Sequence, residues 1–382
     1  MQPFRDLLTK AWKSTGHPIT ENIFDGTMSG LIHSVNTIYK GRRSGSFLCV
    51  ADKPNVTILP QAHSKSLIID AADKICQDVT VILDSGQELN LFANCEVIVS
   101  ESVFETPKLL MLSGIGPSAE LKKHNIPVVV DRPYVGQHLL DYSGVLFVLC
   151  VKDGFGMDDY MLQKGTLHND QAIKTYENNH YGPLGSGFLG MVGFPLIDKY
   201  LEKDPFAFQW HYPTPSKGNY ITVIVDLVHP VPEGGTVTLH SNDPLQQANI
   251  NLNYFNNDLD IIAIREGIRS AYNVLKNGEG FKNIIEDEYP WPMPLHDDNL
   301  IKRTVLDRSQ TSFHPCGIAH SSKNIQQGVV DPGLKVHSIK NLRVIDASCI
   351  PVIPDCRIQN SVYMVPEKGA DAIKLDHSDF YK

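Results

Sequence analysis

Residues 96–117 read Glu96-Val97-Ile98-Val99-Ser100-Glu101-Ser102-Val103-Phe104-Glu105-Thr106-Pro107-Lys108-Leu109-Leu110-Met111-Leu112-Ser113-Gly114-Ile115-Gly116-Pro117. The run at 97–99 is short, apolar and β-branched, the texture of a strand. Thr106 to Leu112 follows with helical texture, and Pro107 suits a first helical turn, where its missing N–H would lack a partner anyway. Ser113-Gly114-Ile115-Gly116 then permits a sharp reversal, because glycine tolerates positive φ.

Working outward, Phe4, Leu7, Leu8 and Trp12 recur at helical spacing with Lys10 and Lys13 opposite, which predicts an amphipathic helix over 3–14. Val56 to Leu59, Ser66 to Ile69 and Val79 to Leu83 read as strands, and Asp84-Ser85-Gly86 as a hairpin turn leading to Leu89. From Ser143 to about Gln310 the texture changes to Gly-, Asn- and Asp-rich loops around β runs at Tyr220–Val228 and Thr236–Leu239. One good helix follows, with Ile261, Ile264, Ile268, Ala271 and Leu275 on one stripe. Strands followed by a helix predict an α+β domain with an antiparallel sheet. Compact α/β texture then returns: Leu342-Arg343-Val344-Ile345 is a buried strand ending at Asp346, and 361–373 a helix. The fold class is therefore α/β plus α+β.

A chain of 382 residues with 42% apolar and 20% charged residues has material for two globular domains. Its net charge of −9 is spread rather than blocked, which argues against a nucleic-acid partner. The longest apolar run, Val145 to Val151, is far too short to span a bilayer. The seven cysteines are scattered without a CxxC pair, as buried free thiols would be. His314, Cys316 and His320 lie close in sequence but lack a fourth zinc ligand, so no metal is expected. Oligomeric state and compartment are not legible.

Four stretches, in order along the chain, resemble the glucose–methanol–choline (GMC) oxidoreductases. The first is 96–117, quoted above. The second joins Ile126-Pro127-Val128-Val129-Val130-Asp131 to Val135-Gly136-Gln137 and Leu139-Leu140-Asp141, and the third is Phe313-His314-Pro315-Cys316-Gly317. The fourth runs from Gly328-Val329-Val330-Asp331-Pro332 through Leu342–Ser348 and Ile350-Pro351 to Glu367-Lys368-Gly369-Ala370-Asp371. The resemblance implies an FAD-binding domain of Rossmann-like type assembled from residues 1–142 and 311–382, with an antiparallel-sheet substrate domain at 143–310. Relatives begin with a strand, a Gly-rich turn and a helix that hold the pyrophosphate, and this sequence starts after that unit, so the FAD-binding domain is expected to be incomplete. Gly185-Ser186-Gly187-Phe188-Leu189-Gly190 fits GxGxxG, but no apolar strand precedes it and it reads as a loop.

The resemblance further implies oxidation of the CH–OH group of a small alcohol or biosynthetic intermediate, the proton passing to His314 and hydride to the flavin. Histidine suits that task because its ordinary pKa of about 6.5 is easily tuned around neutrality. The second catalytic position of the family falls at Gln359, with Asn360 one step away. Either amide could hold a substrate oxygen, but neither can act as a base. Asp346 and Ala347 correspond to the tail segment that lies along the flavin phosphate and ribityl chain, and Ser64 to a position whose backbone touches the adenine. Glu101, Val103 and Glu105 stand where relatives carry small residues. Tyr134 and Tyr142 likewise replace smaller or polar ones. A different reading of the same departures is a truncated or degenerate relative without redox activity, a fragment, scaffold or non-redox lyase or cyclase.

Overall fold

The computed structural model describes residues 2–20, 30–33, 36–152, 155, 167–185, 191–194, 207–211, 219–231, 234–289, 291–355 and 357–380. Its contacts divide the chain into two compact units: residues 1–57, 143–229 and 257–312, and residues 58–142, 230–256 and 313–382. Relative to the boundaries expected from sequence, 1–57 clusters with the 143–312 region and 230–256 with the other unit. Strand pairing and helix packing are responsible. Gly30–His33 pairs with Met191–Phe194, the Gln2–Ser14 helix packs on the Asp258–Asn277 helix, and Gly235–Thr238 pairs with Gln137–Leu139.

The first unit is organised around Ser143–Val151 (SGVLFVLCV), a strand buried almost throughout. A central strand of a covered sheet has water on neither side, which is why it reads as a continuous apolar run rather than an alternating one. It pairs antiparallel with Asn219–Leu227 over its full length, and on its other edge with Ile285–Tyr289 and Ser309–Thr311. The Asp258–Asn277 helix lies against this sheet with Ile261, Ile264, Ile268, Ala271 and Leu275 all buried. Its start is fixed by the Asn257 side chain, which accepts from the Asp260 amide at 2.8 Å, and Asp258 and Asp260 favour the positive end of the helix dipole. Of the 3–14 stripe, Leu8 and Trp12 are buried and Leu7 half-buried, with Ala11 buried beside them.

In the second unit, Ala62–Asp70, Ile75–Leu83 and Glu88–Phe92 form an antiparallel meander, with the Asp84–Gly86 turn where the sequence puts it. Val97–Val99 pairs in parallel with Leu342–Val344, which brings together two short strands from distant parts of the chain. This parallel pair and the helices beside it form the Rossmann-like part. Around them Leu110, Ile115, Leu121, Val135, Val329, Val330 and Val344 make one core, each fully buried. Arg343 crosses that core at 1% exposure and is fully engaged: Nε donates to Glu96 at 2.6 Å, Nη1 to the Gly333 carbonyl, and Nη2 to Asp376 of the closing helix. Such pairing is the condition for carrying a buried charge. No helix among the described residues is long and apolar enough to cross a membrane.

Three local expectations are corrected, and a fourth lies outside the described residues. Val56 to Leu59 forms no strand and its apolar side chains are exposed; β propensity needs a partner strand, and none joins it there. The helix expected from Thr106 begins at Ser102, so Pro107 sits inside it rather than in its first turn, and Val103 is buried within it. The closing helix runs Gln359–Asp376, two residues earlier than expected. Of the GxGxxG stretch, 186–190 lie outside the described residues.

The glycine reversal is borne out at Gly114, which has φ +82°; a Cβ there would stand 2.5 Å from the Pro127 carbonyl oxygen. Gly16 has φ +83° with open space around it. Gly16→Ala should therefore cost only the left-handed backbone penalty of about 1–2 kcal/mol, whereas Gly114→Ala should cost more because the backbone itself must move. Urea unfolding of the two variants measures the difference; equal losses would contradict it.

Candidate active site

His314 follows Phe313, a non-glycine residue held at φ +62° with its ring 79% exposed, while His314 itself is only 7% exposed. Three contacts hold the histidine. Its backbone amide donates to Asp141 Oδ1 at 2.9 Å. Its ring lies 4.9 Å from that of Tyr142, tilted by 36°. Two residues on, Cys316 exchanges N–H···O bonds with Leu140 at 3.0 and 2.8 Å, so 140–142 runs antiparallel to 314–316. Asp141 also receives the Tyr254 hydroxyl on Oδ2 at 2.5 Å, and the Tyr142 hydroxyl donates to the Pro354 carbonyl. Asp141 is 3% exposed, and its charge is felt nearby: burial first, then Asp141 and Cys349, push the Cys316 thiol up to about 12. That thiol is not a nucleophile at neutral pH.

Asp346 and Ala347 are reached from His314 along the backbone, where the Gly317 amide donates to the Ala347 carbonyl at 3.3 Å and the Ala319 amide to Ser348 at 2.8 Å. The Asp346 carboxylate is heavily used. Oδ1 accepts from the Ser348 amide and hydroxyl, and Oδ2 from the Ser102 amide at 3.0 Å and the Thr106 hydroxyl at 2.7 Å. It thus caps the short 347–349 turn and the Ser102–Leu112 helix together. Ser64, in the first strand of the meander, bonds through its side chain to Glu101, the residue just ahead of that helix. Ser64, Asp346, Ala347 and His314 therefore fall along one line of contacts within the second unit. Gln359 and Asn360 open the last helix with their side chains exposed.

Phe313, next to the buried His314, and Val352, two residues before the Pro354 carbonyl that accepts the Tyr142 hydroxyl, have exposed apolar side chains that a flat aromatic group could cover. The other end of a dinucleotide fits less well, because the Ser102 amide at the helix start, which could meet a phosphate, already serves Asp346. Glu105 is paired with the buried Lys108 at 2.8 Å, so its charge is answered locally.

Sequence reasoning missed Asp141 in its second role, Tyr254 and Arg357. Asp141 was quoted only as part of a motif, and Tyr254 sits in a stretch without one. The guanidinium Nε and Nη2 of Arg357 are shut off from solvent just ahead of Gln359. The signal for it was a cation in a segment rich in small and apolar residues.

Glu101 gives a pH-dependent test. Burial raises its pKa above the ordinary 4.5, and the Ser64 bond only partly opposes that. A raised carboxyl favours the folded state when protonated and loses that contribution as pH rises through the folded value. Glu101→Gln should consequently melt above wild type at about pH 7 and level with it at about pH 4. Scanning calorimetry at the two pH values checks this; a variant that melts lower at neutral pH would contradict it.

Comparison with known proteins sets this geometry in a family. Residues 2–143 and 230–365 match two family profiles, both described as GMC oxidoreductase. The crystal structure of a formate oxidase is 58% identical, superposes with a TM-score of 0.95, and covers 99% of this chain and 71% of its own. A formate oxidase of Aspergillus oryzae RIB40 is 57% identical with the same coverage and TM-score. An alcohol dehydrogenase (acceptor) of Pseudomonas putida is 29% identical over 85% of this chain and 59% of its own length. The dehydrogenase eriK of Hericium erinaceus is 29% identical over 77% and 52%. The chain thus spans only about half to three-fifths of these two relatives. It belongs to the glucose–methanol–choline (GMC) oxidoreductase family.

Proposed function

We propose that the protein is an FAD-dependent oxidoreductase that removes hydride from a small substrate, and that formate is the first substrate to examine. The observation that carries this reading is the 58% identity to a formate oxidase across almost the whole chain. FAD, when bound, supplies the hydride acceptor. In this reading Asp346 and Ala347 stand along its phosphate and ribityl chain, Ser64 near its adenine, and the 58–142 and 313–382 segments form most of its domain.

The roles of the protein's own groups depend on the substrate. With an alcohol, His314 takes the hydroxyl proton as the C–H bond gives up hydride, a role that histidine performs with a pKa near neutrality. Gln359 or Asn360 then holds the substrate oxygen. Formate at neutral pH has no hydroxyl proton to lose. Its carbon gives up hydride and leaves as carbon dioxide, so the task becomes holding a carboxylate. Arg357 suits that task, because a guanidinium offers paired donors that match a carboxylate and stays charged when buried. Its partly buried position ahead of Gln359 favours the formate reading.

The test is anaerobic. The protein is reconstituted with FAD, and its visible flavin absorbance is followed after adding formate or a small alcohol. Formate should bleach the flavin, and His314→Ala should slow bleaching by an alcohol by about 100- to 10,000-fold. Arg357→Ala should weaken formate more than alcohols. A flavin-loaded protein that neither substrate class reduces would overturn the reading.

A further inference from the structure

We propose that Asp141 is a positioning residue for His314, fixing the backbone that carries the imidazole through a carboxylate shared with Tyr254. This rests on the reading of His314 as the group that meets the substrate, and it adds two residues to that reading.

The argument begins with the cost of the carboxylate. Asp141 is 3% exposed, and a carboxylate removed from water is tolerated only when hydrogen bonds satisfy it. Both oxygens are used, and they point at two distant parts of the chain. Oδ1 takes the amide of His314 itself, 173 residues on, and Oδ2 takes the hydroxyl of Tyr254. A carboxylate needed only to steady a loop could bond any amide of the turn. This one bonds the main-chain amide of the residue that carries the imidazole.

Backbone strain points the same way. Phe313 sits at φ +62°, a conformation that costs a bulky residue on the order of 1–2 kcal/mol and persists only where the surroundings impose it. The Asp141 bond falls on the very next amide, and the Leu140–Cys316 pair fixes the chain two residues further on. The residue after Asp141 then supplies Tyr142, whose ring faces the imidazole and whose hydroxyl is tied to Pro354. Adjacent residues of one segment therefore hold the backbone of His314 and lie against its ring. Such over-determination is what a reacting group needs, because misplacement by about 1 Å can cost roughly 100-fold in rate.

The experiment uses the flavin-loaded protein with histidines labelled at Cε1, the His314 signal being assigned by its loss in His314→Gln. Asp141→Asn keeps the shape and one acceptor but removes the charge and disturbs the Tyr254 bond. It should lower kcat by about 10- to 100-fold with KM within about twofold, and move the His314 signal while the other histidines stay put. Tyr254→Phe, which deletes a single oxygen and so keeps the fold, should do the same more mildly, and the double variant should be no slower than Asp141→Asn because both act at one node. An unmoved His314 signal with wild-type kcat in both variants overturns the proposal. So does a general loss of folded protein with no selective change at His314, which would mark Asp141 as structural only. Full turnover by His314→Gln would instead overturn the assignment of the base. The response of the His314 signal separates that failure from this one.

Discussion

A carboxylate buried at 3% exposure has few ways to persist, and Asp141 persists by joining three stretches of one unit. Its own stretch carries the Leu139–Leu140 apolar pair into the core and Tyr142 onto the His314 ring. Its oxygens reach Tyr254 and the amide of His314. Remove the carboxylate and two donors lose their acceptor in a low-dielectric setting, where each unmade bond costs about 1–3 kcal/mol. The strained turn at Phe313 would then lose the contact that follows it directly.

The same logic recurs a few residues away. The second unit is gathered from three separated stretches, and the parallel pairing of Val97–Val99 with Leu342–Val344 supplies only a few backbone bonds to hold two of them. Buried polar side chains do the rest. Asp346 caps a helix start 244 residues earlier in the chain, and Arg343 ties Glu96 to Asp376. Non-local contacts of this kind are expensive in loop-closure entropy, but once made they fix the relative position of the segments that carry His314 and Ala347.

Much of this was legible in the sequence. The stripe Ile261–Leu275, the strand at 342–344 and the hairpin at 84–86 follow from periodicity and turn chemistry, which are local. The family could be named from motifs because several of them fall in one order. What stayed hidden was tertiary. The helix at Ser102 starts early because Asp346, far away in sequence, caps it. Val56–Leu59 looks like a strand but finds no partner. The side chains of Asp346 and Ser64 also answer Ser102, Thr106 and Glu101 within the protein, which no local pattern announces. Asp141 and Tyr254 could not be paired from sequence at all, since nothing local links positions 113 residues apart.

The central claim is that a buried hydrogen bond from the His314 amide to Asp141 fixes the histidine. Amide hydrogen exchange reads that bond directly. The account predicts that the His314 amide exchanges slowly, on the scale of the Val344 amide in the parallel strand pair. Exchange at the rate of an open loop, with Val344 still protected, would contradict it.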